Sequence, residues 1–279
     1  MTQKKTESIA PPFEDFEVKR STRIENAPPD LFDPNTPRIG RRESEPHSAE
    51  ITYIYDVLTT NFPESRAIWD LHHYFVGKKG VLKGVRIDIQ FDISFFKDFK
   101  ILRTLSSYDA SRFNERVPDM VINILSKSTW KTDLSEHLET CKELGIAVYI
   151  VFSPFNVTSN IYQPPFLRVY ILQEDGSYKQ EDLRKVTLNE GEEINKENIL
   201  DIGKRLPFRI GLMKLKQEHE EGDSLYRLIF ITPLESIILS TSKEKEVNEA
   251  QNRAKEAEKR AKELERELKK YREKFGELL

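Results

Sequence analysis

The sequence predicts an α+β protein with an α/β-like core, and three stretches carry that expectation. Val85, Ile87, Ile89, Phe91 and Ile93 alternate with Arg86, Asp88, Gln90, Asp92 and Ser94, the period of a half-buried strand. "MVINIL", Met120 to Leu125, follows Pro118, and it is too short and too branched for a helix, so it reads as a second strand. It is followed by a helix over Asp133 to Leu144 and then by "IAVYIVF", a near-continuous apolar run of the kind found in strands covered on both faces. Strand, helix and buried strand in that order make a β-α-β unit. The third stretch is C-terminal. Val247, Ala250, Ala254, Ala257, Ala261, Leu264, Leu268, Tyr271, Phe275 and Leu278 recur in steps of three and four, which is a heptad seam and predicts a coiled-coil helix.

The remaining elements follow in chain order. Residues 1–46 hold seven of the chain's 14 prolines among charged residues, a composition that buries too little surface to offset ordering entropy. A disordered proline-rich arm is expected there. Phe13, Phe16 and Phe32 lie among acids and could dock on a partner or on the protein's own core. Ile51, Ile54, Tyr55 and Leu58 have helical spacing behind Ser48 as a cap. In the helix of the β-α-β unit, Leu134, Leu138 and Cys141 share one face, Asp133 is a candidate N-cap and Gly145 is the stop. "FLRVYILQEDGSYKQ" reads as a hairpin turning at Asp175-Gly176, and "LPFRIGLMKL" and "YRLIFITP" as further strands of a sheet continuing to about residue 239. The expected organisation is an arm (1–46), a globular domain (47–239) and a coiled-coil oligomerisation helix (240–279). With Val247 at position a, Arg253 and Glu258, Arg260 and Glu265, and Glu267 and Arg272 become the g-to-e′ pairs of a parallel dimer, all opposite in sign. Self-association through a parallel coil is the expected partnership.

Composition removes several function classes. The 44 basic and 47 acidic residues leave a net charge of −3, without the basic excess of a dedicated nucleic-acid coat. A single cysteine, Cys141, excludes an intramolecular disulfide and fits a reducing cytoplasm. No secretory signal and no apolar window of about 18 residues is visible, so no membrane partner is expected. The chain carries no P-loop, no dinucleotide-binding glycine fingerprint and no Gly-x-Ser-x-Gly elbow. His72 and His73 are adjacent, and no cysteine or further histidine stands at zinc-ligand spacing from them. The basic stretches "GKKGVLKGVR" and "KSTWK" could touch phosphates, but acidic neighbours dilute any patch.

"GVRIDIQFDIS", "VPDMVINILSKSTWKTDLSEHLETCKELGIAVYIVFSP" and "LPFRIGLMKL" with "YRLIFITP", followed by a charged helical tail, resemble the Uma-type restriction-endonuclease-like family, a branch of the PD-(D/E)XK nuclease superfamily. The resemblance runs in order over residues 50–279 and is most specific in "ILSKST" and the helix and strand after it. It implies a restriction-endonuclease-like mixed sheet flanked by helices. It also implies a site in which an aspartate and a glutamate on neighbouring strands hold Mg²⁺ or Mn²⁺ and a lysine assists the attacking water. Carboxylate-bound metal supplies both charge neutralisation and hydroxide to a resistant phosphodiester.

In that resemblance Asp88 falls on the family's aspartate and would be the metal ligand, Asn123 replaces the usual glutamate, and His137 replaces the lysine. An amide offers a metal only a neutral carbonyl, and a histidine lacks the permanent charge of a lysine. Metal affinity is expected to be weak or absent. Lys127 is a candidate substitute for the lysine, with Lys131 beside it, and Asp92, Asp119 and Asp133 are nearby carboxylates. Without the resemblance, Asp88 and Asp92 are solvated residues on the wet face of a strand. The leading expectation is a catalytically impaired nuclease-fold protein that acts as an oligomeric binding or scaffold module for DNA or a protein. Two competing readings are an active Mg²⁺-dependent DNA endonuclease with a rearranged site, and a structural assembly protein whose function lies in arm and coil.

Overall fold

The computed structural model describes residues 18–20, 44–127, 129–157, 162–203, 205–220 and 222–276. They fall into two compact units, Met1–Leu239 and Ser240–Leu279.

The first unit is built on an eight-stranded mixed sheet. In chain order its strands are β1 (Val18–Arg20), β2 (Arg66–Val76), β3 (Arg86–Phe96), β4 (Tyr108–Asp109), β5 (Met120–Ile124), β6 (Val148–Ser153), β7 (Phe166–Leu172) and β8 (Tyr178–Leu183). They lie in the spatial order β4-β2-β3-β5-β6-β7-β8, with β1 pairing β3 in parallel from Arg86 to Asp88. The rest of the proline-rich arm before Ser44 lies outside the described residues. β5 and β6 pair in parallel, and the crossover between them is helical, which is the β-α-β unit expected from the sequence. The hairpin at Asp175-Gly176 is also present: Gly176 has φ 82°, and the Asp175 carboxylate accepts the Ser177 amide.

Three local outcomes differ from expectation. Helix α1 (Glu45–Asn61) starts ahead of Ser48: its N-cap is Ser44, and Pro46 sits in the first turn, where a missing N–H costs nothing. The crossover is two helices, α2 (Trp130–Asp133) and α3 (Glu136–Leu144), so Asp133 ends one helix instead of capping another. Gly145 stops α3 in the left-handed region at φ 76°. The strands after β8 form a separate three-stranded sheet of β9 (Leu188–Asn189), β10 (Arg209–Glu218) and β11 (Ser224–Ile231), ordered β11-β10-β9. Gly211 is required where β10 passes Thr187, because a Cβ there would lie 2.3 Å from the threonine Oγ1, which accepts the Leu212 amide.

A buried core lies on each face of the large sheet. On one face Ile51, Ile54 and Leu58 of α1 pack with Ile122, Ile124 and Phe230, joining helix, large sheet and second sheet in one core. On the other, Cys141 of α3 packs with Phe91, Val121, Tyr149 and Tyr170. Strand β3 changes its allegiance partway. Ile87, Ile89 and Phe91 belong to the second core, whereas Ile93 and Phe95 belong to the first. The switch lies opposite Asp70 of β2, whose φ is 49° and which falls between the pairs Trp69–Ile93 and Leu71–Phe91, with the same register on both sides. The wet face of β3 therefore ends at Gln90: Asp92 and Ser94, expected to be solvated, are buried.

β2 was not legible as a strand, and its two adjacent histidines point to opposite faces. His73 is fully buried; its Nδ1–H donates to the Leu71 carbonyl at 2.8 Å and its Nε2 accepts from the Ser94 hydroxyl at 2.7 Å. Burial pushes its pKa from 6.5 down to about 4.

The second unit is one helix, α4 (Ser242–Phe275), started by a capping box in which the Thr241 hydroxyl accepts the Glu244 amide and the Glu244 carboxylate accepts the Thr241 amide. No helix of the described residues is long and apolar enough to cross a membrane.

The unfolded His73 imidazole takes up a proton below its usual pKa of 6.5, while the folded one does so only near pH 4. The contribution is present above pH 6.5 and is lost as pH falls toward 4, by about 3 kcal/mol in all. Urea unfolding of the wild type and of His73→Gln at pH 7 and pH 4.5 should show the gap between them narrowing at the lower pH. An unchanged gap would refute the assignment.

Candidate functional site

Strand β5 is buried at every residue, so the one polar side chain it carries must be satisfied internally. That residue is Asn123. Alternation along β5 points it toward α2 and α3, where its Nδ2 lies 2.9 Å from Asp133 Oδ1, 2.8 Å from His137 Nδ1 and 3.2 Å from the Tyr149 hydroxyl. The Tyr149 hydroxyl donates in turn to the Asp133 carbonyl at 2.7 Å, and the Asn123 Oδ1 accepts the Asp92 amide at 3.4 Å. An amide nitrogen can only donate, so the Asn123–His137 contact is a hydrogen bond in the tautomer that carries the ring proton on Nε2. Asp133 Oδ1 lies 3.1 Å from the same His137 nitrogen. Asn123, Asp133 and His137 are each buried to within a few per cent. Asp133 Oδ2 and His137 Nε2 have no hydrogen-bond partner among the described residues.

The cluster leaves its mark on two neighbours. Burial raises the phenol of Tyr149 well above its ordinary range, and the Asp133 carboxylate adds to the effect. The same two causes raise the thiol of Cys141, which keeps it protonated and chemically inert.

Asp92 holds the other side of β5. Its Oδ2 accepts the Ile124 amide at 2.7 Å and lies 3.4 Å from His47 Nε2 of α1, which also reaches the Ile124 carbonyl at 3.1 Å. The β3–β5 register that pairs Ile93 with Ile122 brings Asp92 opposite Asn123, with the carboxylate on the α1 side and the amide on the α2–α3 side.

The structure thus brings two of the four predicted site residues together and leaves two apart. Asn123 and His137 meet. Asp88 does not join them: it lies across from Tyr74 on the wet face of β3, where its Oδ1 accepts from His72 Nδ1 at 2.7 Å. It stands four residues before the position that faces Asn123. Lys127 is exposed in the turn after β5, and Lys131 lies over the Trp130 ring at 5.4 Å. Asp119 accepts the Lys97 amide and a guanidinium N–H of Arg116. Among the described residues no three His, Cys, Asp or Glu side chains converge as a metal site.

These residues do not fit the divalent ion that the fold implies. At position 123, where the resemblance expects a carboxylate, Asn123 turns its N–H groups, not its oxygen, toward the acidic partner, and a positively polarised amide hydrogen repels a cation. The neighbouring basic position, His137, is itself consumed as acceptor for that amide. A cleft of about 330 Å³ lies elsewhere, lined by Pro46, Glu50, Pro154, Tyr226 and Arg227 among others, and contains none of the four residues.

A large mixed sheet with a parallel β5–β6 pair, a helical crossover above it and a polar cluster where β3 meets β5 is a restriction-endonuclease-like fold. The Uma2 family, described as "Putative restriction endonuclease", matches residues 42–207, more than half of the 279-residue chain, and the chain belongs to that family. A solved structure described as a "putative nuclease belonging to DUF820" from Anabaena variabilis ATCC 29413 is similar at 19% identity, over 52% of this chain and 70% of that one, with a TM-score of 0.37. No curated protein matches.

Asn123→Leu tests whether the cluster is closed as described. It removes the donor from a buried carboxylate while keeping the branched side-chain outline, and should cost about 3 kcal/mol in urea denaturation at pH 7.5. A neutral or stabilising outcome would mean that Asp133 and His137 do not depend on the amide.

Proposed function

We propose that this Uma2-family protein keeps the nuclease fold without a working metal centre, and acts by binding, as an oligomeric module for DNA or a protein partner. The observation that carries the reading is the orientation of Asn123, whose amide donates to Asp133 and His137 inside the core. A hydrolytic metal site of this fold needs two carboxylates aimed at a shared ion and a basic group near the attacking water. Here one carboxylate position is an amide turned the wrong way. The basic position is an imidazole held as its acceptor, and Asp88 is engaged with His72 on another surface. Mg²⁺ binds hard anionic oxygens and gives up its own water reluctantly, so a single carboxylate offset from the cluster holds it weakly.

Binding remains open to such a fold because recognition uses the surface and not the buried cluster. Tyr74 and His72 stack on the wet face of β2, with the Arg86 guanidinium 5.1 Å from the Tyr74 ring. Those groups can contact a partner with the core unchanged.

Calorimetric titration of Mg²⁺ and Mn²⁺, with plasmid cleavage assayed in the same buffers, tests the reading. Wild type and Asp88→Ala should give the same result, with no saturable heat and no nicking. Saturable binding together with cleavage that Asp88→Ala abolishes would replace this reading with that of an active nuclease.

A further inference from the structure

We propose that α4 pairs with the α4 of a second copy of the chain, in parallel and in register, as a two-stranded coiled coil. The inference deepens the reading above by naming the oligomeric partner, and it rests on the helix alone, whatever the state of the metal site.

The helix runs for 34 residues, about 51 Å, with a capping box fixing its start. A helix of this length that were finished as a monomer would have no reason to carry an unbroken apolar seam. Val247 is 47% exposed, Leu264 65%, Leu268 53% and Tyr271 67%, and these large side chains stand at a and d positions of one heptad frame. The surface is an exposed apolar stripe, and the charges on its flanks say what covers it.

In a parallel, in-register pair each g residue meets the e residue of the next heptad on the partner. Arg253 then meets Glu258, Arg260 meets Glu265, and Glu267 meets Arg272, so that every charged pair of this set is attractive in both directions across the two-fold axis. Antiparallel pairing sets g against g and e against e instead. The alignment that stacks Ala254 on Leu264 and Ala257 on Ala261 places Glu258 against Glu258 and Arg260 against Arg260. Sliding one helix by a heptad in one direction opposes Glu258 to Glu265 and Arg253 to Lys274; in the other it opposes Arg253 to Arg260 and Glu246 to Glu267. Each antiparallel choice brings like charges together beside the seam, and the parallel one brings none.

The alanines at positions 250, 254, 257 and 261 let the two backbones approach closely over the first half of the coil, while Leu264, Leu268 and Tyr271 supply most of the buried apolar area in the second half. Both chains enter the coil at the same end, so the two first units are tethered together and can engage a partner twice.

Sedimentation equilibrium of the full chain should give twice its 32.7 kDa mass at micromolar concentration. Leu264→Asp with Leu268→Asp should return the mass to that of one chain with the strand signal in circular dichroism retained. Glu258→Arg with Glu265→Arg, which alters only exposed side chains, should weaken self-association by at least about tenfold in Kd at low salt. Val247→Cys should form a disulfide-linked dimer on oxidation, since only parallel pairing puts the two copies of this residue side by side. A monomer, a higher oligomer, a dimer that survives the Asp substitutions or one that Val247→Cys does not link would each overturn the proposal. The nuclease assay reads none of these quantities, so the two readings fail separately.

Discussion

Strand β5 is buried at all five of its residues, and every polar group it carries has to be matched from within the protein. This constraint organises the first unit. The Ile124 amide and carbonyl call on Asp92 of β3 and His47 of α1, and the Asn123 side chain calls on Asp133 and His137 across the other face. One short strand thereby ties α1, β3, α2 and α3 to a common axis. Removing water from such groups is costly, and the cost is recovered only where each donor has an acceptor at close range. The geometry of the cluster is accordingly a matter of stability first, whatever chemistry the fold once or elsewhere supports.

Helix α1 is fastened by buried polar contacts at two points. His47 and Asp92 join it to the large sheet, and Glu50 joins it to the second sheet, where Arg227 Nε donates to the Glu50 carboxylate at 3.0 Å while its guanidinium lies 4.2 Å from the Tyr53 ring. Burial of Glu50 outweighs the attraction of Arg227 and raises its pKa to about 7. Pairs of this kind are weak sources of net stability but strong sources of specificity, because each removes the alternatives in which one partner is left alone. The apolar contacts of Ile51, Ile54 and Leu58 supply the burial, and the polar contacts fix which rotation and height of the helix satisfies it.

Much of the fold was legible because its periods are local. The β-α-β unit, the Asp175-Gly176 hairpin, the stop at Gly145 and the C-terminal helix each depend on residues within a few positions of one another. What was not legible depends on partners far along the chain. β2 alternates poorly because Asp70 takes a left-handed conformation that turns the strand's faces over, and β3 follows it by moving Ile93 and Phe95 to the opposite core. That shift is why Asp92 reads in the sequence as a wet-face residue, whereas Asp88 enters the site through the resemblance alone. Both are polar residues between apolar ones, and nothing in "RIDIQFDIS" says where the alternation breaks. Likewise Asp133 has the local signature of a cap, and only its contact with Asn123, ten residues earlier on another element, reveals its place in the core.

A buried amide between two acceptors also constrains how the site could change. A carboxylate at position 123 would face the Asp133 oxygen at about the distance the Asn123 amide now occupies, without the proton that makes the contact attractive. Two anions at that range in a buried setting need a cation between them or a proton on one of them. A cation would also have to displace His137 from its present place as acceptor. Charge at 123, at 133 and at 137 is therefore one coupled quantity: an ion-binding version of this cluster requires changes at more than one position, and the neutral amide is the choice that lets the remaining carboxylate and imidazole coexist without it. Under the proposed reading the core is then free of any obligation to bind or release a metal, and selection on the protein acts through the surfaces it presents and the number of copies that present them.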